Sequence, residues 1–284
     1  MVQFGAHAFV WIGEWTLEAG NAAIRDAARL GFDFIEIPLL DPDTFNAEAH
    51  RAVLEEVGIS AACSLVLPKD AHMPHVPDKA IHFLIRALDQ VEALGSNYLG
   101  GCIAYSLGTL TGKPPTQDEK DKVTRALIQV DDYAQSKGIR LALEACNRYE
   151  TYMYNSLADT RAAVLAVDSD NLKLHADTYH MNIEEEGFYK PIVETGDVLD
   201  YIHMSESHRG YVGSGTVNWD DAWRALGEIN FSGSLVLESF AAINPALAAA
   251  TCLWRPPNEP SEKIAKDGLA FLKDSARQHG LLTD

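Results

Sequence analysis

The sequence predicts an α/β fold, a single-domain (β/α)8 TIM barrel, and three observations point there. Short apolar runs alternate with helical stretches eight times along 284 residues. No Pro/Ser-rich linker or shift in composition divides the chain. An open doubly wound sheet would want a Gly-rich turn after its first strand, and His7-Ala8-Phe9-Val10-Trp11 stands there instead. Strands are expected at 3–9, 32–38, 59–67, 97–103, 139–144, 172–176, 201–204 and 234–238, and helices near 17–30, 45–57, 78–94, 117–137, 156–167, 190–198, 219–228 and 260–279. Residues 1–284 then form one domain, the last ~25 residues supplying the closing helix and C-terminal tail.

Each element carries its own signal. Gly31, Gly58, Gly95 and Gly138 each follow a helical stretch and precede a strand, where a left-handed residue is wanted. Thr116 and Glu119 make a capping box, and the helix they open sets Val123, Ala126, Leu127, Val130 and Ala134 on one face. Ile139-Arg140-Leu141-Ala142-Leu143 and Ser234-Leu235-Val236-Leu237 are mostly apolar without strict alternation, which suits parallel strands covered on both sides.

Composition narrows the function. Apolar residues make up 47%, ample for one large core. Lys plus Arg total 23 against 41 Asp plus Glu, a net charge of −18 that argues against nucleic acid or an anionic membrane as partner. Cys63, Cys102, Cys146 and Cys252 are scattered, with no C-x-x-C pair, so neither a disulfide framework nor a thiolate zinc site is expected and a reducing cytoplasm suits the chain. The start, Met1-Val2-Gln3-Phe4-Gly5, has no basic leader region, and the Ala-rich stretch 241–253 is broken by Asn244-Pro245 and too short to span a bilayer.

The charges are unevenly placed. The fifth strand runs apolar and stops at Glu144, the sixth runs into His175-Ala176-Asp177, the seventh ends around His203, and the eighth ends at Glu238. Four consecutive strands thus deliver Glu, Asp, His and Glu to the rim where barrel enzymes do their chemistry. Three carboxylates near one axis repel unless a cation offsets them. Their mostly hard donor set suits Mn²⁺, Mg²⁺ or Co²⁺ with positions open to substrate oxygens, zinc being the second choice. Glu150, His180 and Arg209 lie just beyond these strand ends, spaced for a polyhydroxylated ligand.

Four segments carry a resemblance: Leu143-Glu144-Ala145-Cys146-Asn147-Arg148-Tyr149-Glu150, Asp177-Thr178-Tyr179-His180-Met181-Asn182-Ile183-Glu184-Glu185, His203-Met204-Ser205-Glu206-Ser207-His208-Arg209-Gly210 and Glu238-Ser239-Phe240. With Trp11 to Trp15 and Gly31-Phe32-Asp33-Phe34-Ile35-Glu36, they closely resemble the ketose 3-epimerases (D-tagatose, D-allulose or psicose, L-ribulose) of the xylose-isomerase-like sugar isomerase/epimerase superfamily. The resemblance implies metal ligands at Glu144, Asp177, His203 and Glu238, one divalent ion per subunit with Mn²⁺ first and Co²⁺ or Mg²⁺ next, and substrate contacts from Glu150, His180 and Arg209. His7 stands where that family varies and is assigned a sugar contact; 107–115 and 64–70 would line the distal pocket.

The implied reaction inverts C3 of a free ketose by deprotonation and reprotonation through a metal-held enediolate, with Glu144 and Glu238 as the acid/base pair. The nearest alternative is an aldose–ketose or hydroxypyruvate-type isomerase on the same site. A nuclease would need more histidine and a basic groove, and a non-catalytic sugar-binding barrel would show no exchange at C3. A phosphorylated substrate finds little basic charge beyond Arg209, though Gly213-Ser214-Gly215 could cradle an anion. Family likeness also suggests a homodimer or homotetramer.

Overall fold

The computed structural model describes residues 2–240 and 244–282. Ala241–Ile243 of the Ala-rich stretch and the last two residues of the expected tail therefore lie outside the described residues. Eight parallel strands run in sequence order and close on themselves: β1 (Gln3–His7), β2 (Phe34–Pro38), β3 (Ser60–Val66), β4 (Tyr98–Cys102), β5 (Arg140–Glu144), β6 (Leu172–Asp177), β7 (Leu199–Ser205) and β8 (Ser234–Glu238). Closure is made by β8 on β1, with Phe4 opposite Leu235 and Ala6 opposite Leu237. The helices are α1 (Leu17–Leu30), α2 (Ala47–Val57), α3 (Pro77–Leu94), α4 (Gln117–Ser136), α5 (Leu157–Val167), α6 (Thr178–Glu184), α7 (Tyr189–Thr195), α8 (Trp219–Glu228), α9 (Pro245–Thr251) and α10 (Ser261–Gln278). The expected single (β/α)8 barrel is the observed fold. Among the described residues no helix is long and apolar enough to cross a membrane.

Strands β2 to β5 start one or two residues later than the sequence reading, for a shared reason, while β7 starts two residues earlier. Gly31, Gly58 and Gly95 adopt φ of 88°, 71° and 81°, and the following amides turn back to close the helices. Phe32 donates to the Ala27 carbonyl, Ile59 to Leu54, Ser96 to Val91 and Ile139 to Ala134. Those amides satisfy helix C-termini and cannot join a strand ladder. The first strand stops at His7 rather than at residue 9, because the His7 ring nitrogen Nδ1 accepts the Phe9 amide at 3.1 Å and turns the chain into a 3₁₀ segment. The capping box forms as expected: Glu119 N–H donates to Thr116 Oγ1 and Thr116 N–H to Glu119 Oε2.

Alternate residues on each strand divide two cores. Ile35, Ile37, Leu141, Leu143, Leu174, Ile202, Met204, Leu235 and Leu237 join the large cluster packed against the helices. Phe34, Ala62, Tyr201 and Val236 form a separate small cluster inside the barrel. Above that plug, the same inward phase of β2, β5, β6, β7 and β8 carries Glu36, Glu144, Asp177, His203 and Glu238. Register is adjusted between Leu174 and His175, where β7 takes one extra residue: Leu174 faces Leu199, but His175 faces Tyr201. That bulge sets Asp177 directly opposite His203.

Candidate metal centre and sugar site

The four strand-end residues converge at the C-terminal mouth of the barrel. Glu144 is 7% exposed, Asp177 0%, His203 3% and Glu238 6%, so three carboxyl groups and an imidazole share a nearly dry space. His203 organises them. Its Nε2–H donates to Glu36 Oε2 at 2.8 Å, which fixes the ring with Nδ1 turned toward the carboxylates, and Glu36, Glu238 and Glu144 hold its pKa above the ordinary value against burial. That Nδ1 has no hydrogen-bond partner, and it lies 3.4 Å from Glu238 Oε1, 3.8 Å from Glu144 Oε1 and 4.0 Å from Asp177 Oδ2. A buried ring nitrogen without a hydrogen-bond partner, aimed at three carboxylate oxygens, fits a divalent cation that would take the place of its proton and be held by one nitrogen and three oxygens.

Local structure explains each placement. Asp177 ends β6 and caps α6: Oδ1 accepts the Tyr179 amide at 2.7 Å, leaving Oδ2 for the centre. One helical turn later, α6 presents His180. Thr178 ties this turn to β7, donating to the Ser205 carbonyl and accepting its amide. The loop after β7 is built around the buried Glu206 carboxylate, which accepts from Ser207, Gly213 and Val217 amides and from Trp219 Nε1. The Gly213-Ser214-Gly215 turn therefore does cradle an anion, but that anion is the chain's own Glu206. This anchor holds Arg209 in a left-handed conformation (φ 59°), its carbonyl pinned by Ser239 Oγ and the Phe240 amide.

Arg209 reaches across the mouth. Nη1 donates to Asp177 Oδ2 at 2.6 Å and to Glu238 Oε2, while the guanidinium lies 3.8 Å over the Tyr179 ring and 5.2 Å from that of Phe240. Burial works against charge on the His180 ring, and Cys146, Glu150 and Asp177 favour it. The backbone amide of Asn147 decides between them: it points at Nδ1 from 3.2 Å, where no second proton fits. His180 is thus neutral with its proton on Nε2. Arg209 Nη2 lies 3.2 Å from that Nε2, so two donors face one another beside Glu144 Oε1. Such a pair asks for an acceptor oxygen between them. Asn147 also donates from Nδ2 to Glu150 Oε1 at 3.0 Å, which brings Glu150 into the same corner. The Gly108 amide donates to the Glu150 carbonyl and Thr109 bridges to Thr151, laying the 107–115 loop against this turn.

Charge regulation follows the burial. Burial pushes the Glu144 carboxyl well above the ordinary range, with Cys146, Asp177 and Glu238 adding to it and His203 opposing. Glu238 is pushed up in the same way against the pull of Arg209 and His203. Asp177 goes down despite burial, because Arg209 and His203 lie against it and the Tyr179 amide donates to it. His7 is neutral: burial lowers it to about 4. Its Nδ1 serves the Phe9 amide and its Nε2 lies 3.6 Å from Glu36 Oε1, so both ring nitrogens face protein groups.

Sequence reasoning assigns Glu36 no role, yet it is fully buried and holds His203, with Tyr201 donating a second hydrogen bond at 2.6 Å. Its signal is a single acid inside Phe34-Ile35-Glu36-Ile37-Pro38. His175 also escapes the sequence reading; it is fully buried, 4.2 Å from His203 between ring centroids, with no hydrogen-bond partner on either nitrogen. A cavity of about 600 Å³ opens at the opposite end of the barrel, around Tyr98, Asn171 and the Arg140–Asp200 ion pair. It gathers no comparable set of acids and imidazoles, so the chemistry lies at the other mouth.

Comparison with known proteins adds a family and named relatives. The sequence matches the xylose isomerase-like TIM barrel family over residues 24–275. It is 37% identical to an L-ribulose 3-epimerase of Methylomonas sp. (strain DH-1), covering 96% of this chain and 97% of that one. It is 35% identical to a ketose 3-epimerase of Arthrobacter globiformis, covering 96% of each. The fold superimposes on a crystal structure of Methylomonas sp. D-allulose 3-epimerase in complex with D-allulose with a TM-score of 0.92, at 37% identity and covering 96% of this chain and 97% of that chain.

Proposed function

The chain belongs to the xylose isomerase-like TIM barrel family, and from that premise we propose that it is a metal-dependent ketose 3-epimerase acting on free ketoses such as L-ribulose and D-allulose. The observation that carries the reading is the orphaned Nδ1 of His203, turned by Glu36 toward Glu144, Asp177 and Glu238. These four are the proposed ligands. A hard divalent ion there, Mn²⁺ first, would supply Lewis-acid stabilisation of the negative charge that develops when C3 loses its proton.

The protein's part is proton transfer and orientation. Glu144 and Glu238 end the first and last of four consecutive strands and flank the position for C3. One removes the proton and the other returns it from the opposite side, with roles exchanged by substrate configuration. Burial raises both carboxyl groups, which makes them better bases than acids beside a cation would otherwise be. The facing N–H groups of His180 and Arg209 receive one sugar oxygen, and Glu150 accepts from a hydroxyl. The wall of apolar and aromatic groups around Arg209 excludes water from the transferred proton.

The test is turnover of L-ribulose, D-allulose and D-tagatose in D₂O with Mn²⁺ present. The expected result is a C3-epimeric ketose carrying one solvent deuterium at C3, and no product after chelation. An aldose product would move the proton transfer to C1 and C2. Inversion without label would remove the two-carboxylate mechanism altogether.

A further inference from the structure

Beside the hard centre lies a cluster of different character, which the proposed reaction does not use. Cys102 at the end of β4 and Cys146 just past β5 place their sulfurs 3.5 Å apart, both nearly fully buried. Cys102 Sγ donates to Glu144 Oε2 at 3.9 Å, and one donor atom from each of Cys102, Cys146 and Glu144 lies within 4.8 Å of the others. Glu144 is divided between two neighbourhoods. Its Oε1 faces His203 Nδ1 and His180 Nε2, while Oε2 faces the thiols.

The spacing suits a cation better than a covalent bond. A disulfide would require the sulfurs to close from 3.5 Å to about 2.05 Å. Tetrahedral bonds of about 2.3 Å to sulfur and 2.0 Å to oxygen put ligand atoms about 3.8 Å apart for two sulfurs and about 3.5 Å for sulfur and oxygen. The observed 3.5 and 3.9 Å differ from those edges by a few tenths of an ångström. Thiolate also selects a different ion from the oxygen-rich centre next to it.

The geometry points to a second metal site, made of Cys102, Cys146 and Glu144 Oε2, that takes a thiophilic divalent cation such as Zn²⁺ or Cd²⁺ and inhibits by holding Glu144. As each metal–sulfur bond forms, its thiol proton passes to solvent, and the ion changes no oxidation state. The inhibitory part rests on the proposed role of Glu144 in proton transfer; the binding part does not.

The experiment titrates Cd²⁺ into protein saturated with Mn²⁺, reading thiolate-to-Cd²⁺ charge-transfer absorption and ketose turnover in parallel. The expected result is a band corresponding to two thiolates per ion, with turnover falling as the band grows. Cys102→Ala/Cys146→Ala should lose the band and, measured against its own rate without Cd²⁺, need roughly tenfold or more Cd²⁺ for the same fractional inhibition. Cys146→Ala alone should halve the thiolate signal, which keeps the test available if the double variant misfolds, and Cys252→Ser should leave it intact. A missing band, a band that survives the double variant, or inhibition without a band would overturn the site. A band without inhibition would overturn the sharing of Glu144. Failure to turn over any ketose would remove the epimerase reading, and the band alone would then decide for or against the site.

Discussion

Truncating Arg209 to alanine removes the donor proposed for a substrate oxygen; it takes hydrogen bonds away from Asp177 and Glu238 but leaves all four proposed ligand side chains in place. Its guanidinium is fixed by Tyr179, Asp177 and Ser205, so little reorganisation is needed for it to act. Loss of one preorganised donor of this kind costs about a hundredfold or more in kcat. Arg209→Ala should show that loss with unchanged metal content by elemental analysis; full activity would strip Arg209 of its role. Glu36 acts one step further out. Glu36→Gln keeps acceptors for the His203 Nε2–H and the Tyr201 hydroxyl but removes the charge that makes His203 a stronger ligand. Mn²⁺ affinity should fall about 10- to 100-fold while kcat at saturating Mn²⁺ stays near the wild-type value. Unchanged Mn²⁺ affinity by calorimetry would reduce Glu36 to a packing residue. Both positions show what one sequence can disclose. Glu144 and Glu238 were legible because each ends an apolar run, where an acid has no structural reason to be. Glu36 has the same apolar flanks, but it lies inside its strand and its partner His203 is 167 residues away, a contact that only the closed barrel creates.

Elements were legible where local rules decide them. The glycines after α1, α2 and α3 and the Thr116–Glu119 box are short-range signals, and the fold obeys them. What was missed is short rather than long-range: α6, capped by Asp177, and α9, where Asn244 Oδ1 accepts the Leu247 amide, are seven residues each, too brief to show a helical apolar repeat. The packing of α2 yields a prediction of its own. Its His50 accepts the Trp15 indole N–H on Nε2 at 3.2 Å and donates from Nδ1 to Asn21 Oδ1 at 2.9 Å, a pattern open only to the neutral ring. Burial lowers its pKa from 6.5 to about 4. A depressed folded-state pKa means that the unfolded chain takes up the proton first. The stability contributed by His50 is complete above pH 6.5 and is lost as pH falls toward 4. His50→Gln keeps an acceptor for Trp15 and a donor for Asn21 but cannot titrate. Urea midpoints followed by tryptophan fluorescence should therefore give a difference between wild type and variant that changes across that window and is flat above it. A difference that is flat throughout would place the ring outside this linkage.

At the scale of the whole molecule, the barrel gathers Glu144, Asp177 and Glu238 into a dry mouth, where among the described residues Arg209 and His203 stand against their repulsion. In the unfolded chain the same groups are far apart and hydrated. A cation that binds the assembled cluster and not the scattered one must stabilise the fold, by about 2.7 kcal/mol when free ion exceeds its Kd a hundredfold. For a chain of 284 residues that is a rise in Tm of roughly 4–5 °C. The net charge of −18 adds a long-range attraction for cations, so the concentration of Mn²⁺ needed for a given rise should increase with monovalent salt. The two contributions separate in Glu36→Gln, which leaves the net charge one unit less negative but weakens His203 as a ligand. Its thermal shift at limiting Mn²⁺ should be smaller than wild type's at every salt concentration, and should converge on it at saturation. If scanning calorimetry shows no shift with Mn²⁺, Co²⁺ or Mg²⁺, the convergence of three acids on His203 would be a purely structural network and the proposed ligand set would fall with it.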